Sequence, residues 1–140
     1  AMQFNGINYL MPVDAKLDDE ADLKRFARVD DIMNDLQQAK NLRILVLDSR
    51  RDNPFAESLK RSARGLSIRQ GLSKVDAPVG TIVSFSTQAG QTADDGTGRN
   101  SPYSSAFVRR MEEPNEHGEV FRDISAEDYE SSGRVQTPEL

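Results

Sequence analysis

No cysteine occurs anywhere in the chain. That absence removes disulfides, thiolate metal sites and cysteine nucleophiles together, and it leaves the redox environment open. Histidine is nearly as scarce, with His117 the only one. With no cysteine and a single histidine, the soft and imidazole donors of a transition-metal site are lacking, and neither a metal nor any other cofactor is expected. Aromatic residues make up 6% of the chain and hydrophobic residues 36%, at a mean hydropathy of -0.64, so a core can form but a thin one. Long apolar runs are missing too. The longest aliphatic stretch is Ile44 to Leu47, against the roughly 20 residues of a membrane helix. Nothing has the pattern of a signal peptide, so no membrane partner is expected and the expected location is the cytoplasm. With 140 residues the chain has room for one small domain and hardly for two.

The net charge of -5 is unevenly spread. Residues 50–79 carry 7 Lys and Arg against 3 Asp and Glu, while the ratio is 6 to 9 in residues 1–49 and 5 to 11 in residues 80–140. A basic middle third flanked by acidic segments could hold an anion, but pairing with its own acidic neighbours is the expected use. No aromatic residue interleaves with the Lys and Arg of residues 58–74, so nucleic acid is not an expected partner.

What the chain does contain is organised around Leu42 to Leu47, apolar except for Arg43. Such a run has the composition of a parallel strand covered on both faces. Polarity then changes at once through Asp48, Ser49, Arg50, Arg51, Asp52 and Asn53, and Pro54 cannot donate to a ladder. In open α/β sheets, ligands and catalytic groups collect at that carboxyl end. Upstream, Asn5-Gly6 between short apolar stretches predicts a tight hairpin. Pro12 and Asp14 end it, and an acidic loop is expected over Asp18 to Asp22. Val29, Ile32, Met33 and Leu36 share one face of a predicted helix ending near Lys40. Residues 56–79, broken by Gly65, Gly71, Pro78 and Gly80, read as a mobile basic loop after a helical turn or two at 56–63.

Thr81 to Ser86 is a second strand by its β-branched and aromatic content. A glycine-bearing loop follows from Thr87 to Asn100. Ser101-Pro102 places a capping hydroxyl ahead of a proline suited to the first helical position, and Tyr103, Ala106, Phe107 and Met111 form the expected buried stripe. Pro114 and Gly118 separate this helix from a last one in which Val120, Phe121 and Ile124 share a face. His117, among Asn115, Glu116 and Gly118, reads as part of a surface turn. Gln136 to Leu140 reads as an extended end, an unfinished strand. The fold class expected from these elements is α/β, with parallel strands flanked by helices and a small N-terminal hairpin.

Two stretches carry a family resemblance. Asp48 to Phe55, with its Asp-x-x-Arg-Asp-Asn-Pro-Phe pattern after an apolar strand, closely resembles the nucleophile segment of bacterial caspase-domain proteins, relatives of caspases and metacaspases. Asn8 to Ala15 resembles the Asn-Tyr-Leu-x-Pro-Val-Asp-Ala segment that follows their catalytic Gly-His. More loosely, Phe85-Ser86-Thr87-x-Ala89-Gly90 looks like the strand and loop lining the caspase substrate groove, and Gln91 to Asp95 looks like the Gln-Thr-Ser-Ala-Asp run of metacaspases. The resemblance covers nearly the whole chain. It implies a partial caspase-like fold in which residues 1–140 are the latter part of one domain, with the first strands and the catalytic histidine segment lying before Ala1. It implies a family activity of cysteine-type proteolysis on peptide or protein substrates, after Arg or Lys in metacaspase-like relatives. It places Arg50 at the position of the nucleophilic cysteine. It also implies a pocket for a basic side chain lined by Asp48, Asp94 and Asp95, with Ser86 on the groove wall.

A peptidase of that type needs a thiolate and a histidine base. The chain supplies no thiol, and a guanidinium at Arg50 stays protonated and cannot attack a carbonyl. Ser49, the adjacent hydroxyl, has no base. His117 lies 67 residues after Arg50, whereas the family's histidine precedes the nucleophile. The expectation is therefore an inactive relative in which Arg50 pairs with the pocket carboxylates and fills the pocket from inside. The alternative is a regulatory or binding module that associates with itself or with an intact relative through an open sheet edge. In a third reading another polypeptide supplies the histidine, and the missing thiol weighs against it.

Overall fold

A computed structural model of the protein describes residues 1–49, 55, 72–88 and 97–140. Arg50, Asp94, Asp95, the helical turn expected at 56–63 and most of the expected basic loop lie outside the described residues.

The chain opens with β1 (Met2–Phe4) and β2 (Ile7–Leu10), antiparallel, with Met2 opposite Tyr9 and Phe4 opposite Ile7. Asn5 and Gly6 join them at φ of 51° and 79°. A two-residue turn matching the strand twist needs positive φ at both positions, which asparagine tolerates and glycine adopts freely. A third strand was not foreseen. β3 (Ala27–Arg28) pairs with β2 through Leu10 and Tyr9, yet both its residues are exposed and carry no hydrophobic pattern. The expected acidic loop is also more ordered than its composition implies: a 3-10 helix spans Glu20–Arg25. Asp19 accepts from the Ala21 amide at 2.7 Å, and Asp22 reaches back to the Asp18 and Asp19 amides at 3.0 and 3.4 Å. The acidic residues thus satisfy the helix's own orphan donors. Met2, Phe4, Tyr9, Leu17, Leu23 and Phe26 close into a small core of their own.

α1 (Val29–Leu36) buries Val29 and Met33 as its periodicity predicts. It ends at Leu36 rather than near Lys40. The amides of Gln37, Gln38 and Ala39 each reach back three residues, to Asn34, Asp35 and Leu36, so the last turn tightens into 3-10 geometry and stops. β4 (Arg43–Leu47) and β5 (Thr81–Phe85) are parallel and in register from Arg43 opposite Thr81 to Leu47 opposite Phe85.

Alternation then assigns each face a partner. Leu45, Leu47, Val83 and Phe85 pack with Val29, Met33, Leu72 and Val75. Ile44, Val46 and Ile82 pack with Tyr103 and Ala106 of α2 (Pro102–Arg110) and Val120, Phe121 and Ile124 of α3 (His117–Ser131). The parallel pair is therefore covered on both sides, and the α/β reading with a small N-terminal hairpin holds. Arg43 to Val46 are only half-buried, because among the described residues the parallel sheet has two strands. The C-terminal segment does reach this sheet: Phe85 and Glu139 exchange two backbone hydrogen bonds of 2.8 and 3.0 Å as an antiparallel bridge.

Two expectations are corrected on the helices. Met111 is not in the buried stripe: it is the residue after α2, where the chain turns toward α3, and it is exposed. His117 is not in a turn but is the first residue of α3, still exposed.

Phe121 is 2% exposed in the α2–α3 core, and Val135 is 77% exposed. Phe121→Ala should destabilise the fold by about 3–5 kcal/mol. Val135→Ala should stay within about 0.5 kcal/mol of the native chain. Urea unfolding followed by far-UV circular dichroism checks both.

Candidate substrate groove at the carboxyl ends of the parallel strands

β4 delivers Asp48 and Ser49, and β5 delivers Ser86 and Thr87, to neighbouring positions. The Ser86 amide donates to the Leu47 carbonyl at 3.2 Å, which carries the pairing one rung past the strands. Asp48 and Ser86, both proposed from sequence, are therefore brought together; the other proposed groups, Arg50, Asp94 and Asp95, lie outside the described residues.

Asp48 faces the start of α2. Its Oδ2 accepts from the hydroxyls of Ser101 and Ser104, the latter at 2.5 Å. Ser101 is the N-cap of α2, and its Oγ in turn accepts from the Ser104 amide at 2.9 Å. One serine thus caps the helix and donates to the carboxylate, which lies at the positive end of the helix dipole. The sequence announced both halves, a strand-end aspartate and a capping serine, but nothing in it paired residues 53 positions apart.

Beneath this contact lies a buried polar layer. The Tyr103 hydroxyl and Ser84 Oγ are 2.6 Å apart. Burial pushes the Tyr103 phenol up to about 12; the Ser84 hydrogen bond opposes this, and the Asp48 and Asp128 carboxylates add to it. Asp128, on α3, is fully buried. Its Oδ1 accepts from Gln136 Nε2 at 3.3 Å, while its Oδ2 is buried without a hydrogen-bond partner. Burial raises its pKa to about 7; the Gln136 bond opposes the shift and the Asp48 charge reinforces it. Sequence reading missed Asp128. The available signal was its position, four residues after Ile124 on the buried face of the helix.

The hydroxyls of Ser49 and Ser86 are also buried without hydrogen-bond partners, and Ser86 and Thr87 are fully buried. The described part of the site therefore offers carboxyl, hydroxyl and phenol groups converging on two strand ends. His117 does not join them: eleven residues separate it from Asp128, about 16 Å along a helix axis. Among the described residues no group of three or more His, Asp or Glu is gathered to hold a metal ion, and no helix is long and apolar enough to cross a membrane.

Parallel strands with helices on both faces, a separate antiparallel ribbon and a polar site at the strand ends define an α/β domain of the kind that uses its strand termini for recognition or catalysis. The family model described as the caspase domain matches residues 2–140, and the chain belongs to that peptidase family. It does so without a cysteine. Comparison with curated proteins and with solved structures gives no significant match.

Because Asp128 holds its proton up to about pH 7 when folded and only to about pH 4 when unfolded, the unfolded state binds fewer protons between those values. Asp128 should therefore lower stability progressively as pH rises from 4 to 7 and leave it constant above. The difference in unfolding free energy between Asp128→Asn and the native chain should grow over that window in favour of the variant, measured by urea denaturation at a series of pH values.

Proposed function

We propose that this chain is a disarmed caspase-domain protein that recognises a basic peptide side chain but does not cleave the peptide. One observation carries the reading: by its match to the family's nucleophile segment, Arg50 stands where the thiol must be, and no cysteine exists elsewhere to replace it. The hydroxyls of Ser49 and Ser86 do not restore the chemistry, since nucleophilic catalysis by serine needs an adjacent base. His117, at the far end of α3, is not positioned to be one.

What survives is the acidic side of the family site. Asp48 is held at the end of β4 by two serine hydroxyls, which fixes the carboxyl in place rather than leaving it to fray with the loop. By the resemblance to the family, Asp94 and Asp95 would join Asp48 and Ser86 in recognising Arg or Lys, and the guanidinium of Arg50 would compete for the same carboxylates. A second reading, association with an intact relative or another copy through an open sheet edge, is favoured by the outer edge of β5, which is paired only at Phe85 among the described residues.

Fluorescence anisotropy with labelled peptides ending in Arg, Lys or Asp tests the pocket. The native chain should bind all three weakly and alike, and Arg50→Ala should gain at least tenfold affinity for the Arg and Lys peptides alone. An Arg50→Ala chain that is folded and shows no such preference contradicts the pocket.

A further inference from the structure

Asp48 presents two unequal oxygens. Its Oδ2 accepts from both the Ser101 and the Ser104 hydroxyl, and a carboxylate oxygen has about two acceptor sites, so both sites on Oδ2 are taken. Its Oδ1 accepts no hydrogen bond from any described residue. The two donors differ in what else they do. Ser101 is the N-cap of α2, and its Oγ also accepts from the Ser104 amide at 2.9 Å. The Ser104 hydroxyl makes only the bond to Asp48 among the described residues.

A guanidinium recognises a carboxylate best side-on, with two parallel N–H groups meeting the two oxygens together. With Oδ2 filled, that fork meets one oxygen, and its second N–H is left without a partner on Asp48. An ammonium makes a point contact, which one oxygen satisfies. Its remaining donors have an uncharged acceptor close by. Strand alternation puts Asp48 on the face of Val46 and Ser86 on the face of Ser84, the face that α2 covers. The Ser86 amide carries the pairing to the Leu47 carbonyl, and Ser86 Oγ is buried without a hydrogen-bond partner.

We propose that Ser101 and Ser104 are positioning residues that make the site select Lys over Arg, by closing one oxygen of Asp48 to bidentate contact. The inference rests on the basic-pocket reading given above and goes beyond it, since a carboxylate with both oxygens open would favour the Arg fork. Ser104 is the residue that sets the preference without holding the helix. Removing its hydroxyl reopens one acceptor site on Oδ2 while Ser101 still caps α2. Alanine is a better helix former than serine, so Ser104→Ala does not weaken α2.

The experiment uses the full chain carrying Arg50→Ala and labelled peptides ending in Lys, Arg or Asp, read by fluorescence anisotropy, with circular dichroism confirming the fold of each variant. The Lys peptide should bind about tenfold more tightly than the Arg peptide, the worth of one charge-assisted hydrogen bond. Adding Ser104→Ala should cancel that preference by strengthening Arg binding, and Ser104→Thr, which keeps a hydroxyl, should preserve it. A loss of packing alone would weaken both peptides together and leave their ratio unmoved. An Arg peptide bound as tightly as the Lys peptide by Arg50→Ala, or a ratio unmoved by Ser104→Ala, would overturn the proposal and leave the basic pocket standing. Binding with no preference for either basic peptide over the Asp peptide would overturn the pocket and this proposal together.

Discussion

Two parallel strands have no face they can leave to water, and that constraint organises the domain. Parallel pairing requires a long connection and puts helices over both sides of the sheet. In this chain α1 covers one face of the β4–β5 pair and the α2–α3 hairpin covers the other, each through the side chains that alternation points toward it. The small antiparallel sheet keeps a separate core and leaves the parallel pair as the scaffold of the site. With few aromatic residues to spend, the chain places Tyr103, Phe107 and Phe121 together where the two helices meet the sheet.

The same packing forces polar groups into the interior near the strand ends. Asp48 accepts from two serine hydroxyls at the start of α2, Tyr103 meets Ser84, and Asp128 accepts from Gln136 in the returning C-terminal segment. A buried carboxyl with one oxygen unpartnered is costly when charged, and the raised pKa of Asp128 is the protein's answer to that cost. These contacts fix the geometry of the described part of the site. Such contacts hold a family scaffold together independently of its chemistry, because stability and catalysis depend on different residues.

Local signals in the sequence were sufficient for most of the scaffold. Asn5-Gly6 specified the hairpin, the spacing from Val29 to Leu36 specified α1, Ser101-Pro102 placed the start of α2, and two β-branched runs placed the parallel pair. The misreadings share a cause: they depend on contacts far apart in the chain or on residues without a hydrophobic pattern. β3 is two exposed residues held by backbone bonds alone, and Met111 continues a helical period beyond the end of its helix. Asp128 continues the buried face of its helix four residues after Ile124, but its bond to Gln136 forms only when the C-terminal segment folds back. At the site, Asp48 and Ser86 were legible as strand ends, but the engagement of Asp48 by Ser101 and Ser104 belongs to tertiary structure.

The central claim is that a caspase-domain chain with arginine in place of its thiol binds without turning over. It is tested most directly by incubating the purified 140-residue chain with a mixed-sequence peptide library and reading cleavage products by mass spectrometry. The account predicts no product above the buffer control at any residue. Cleavage after Arg or Lys that is lost in Asp48→Ala, with the variant still folded, would contradict it and show that the site finds a nucleophile other than cysteine.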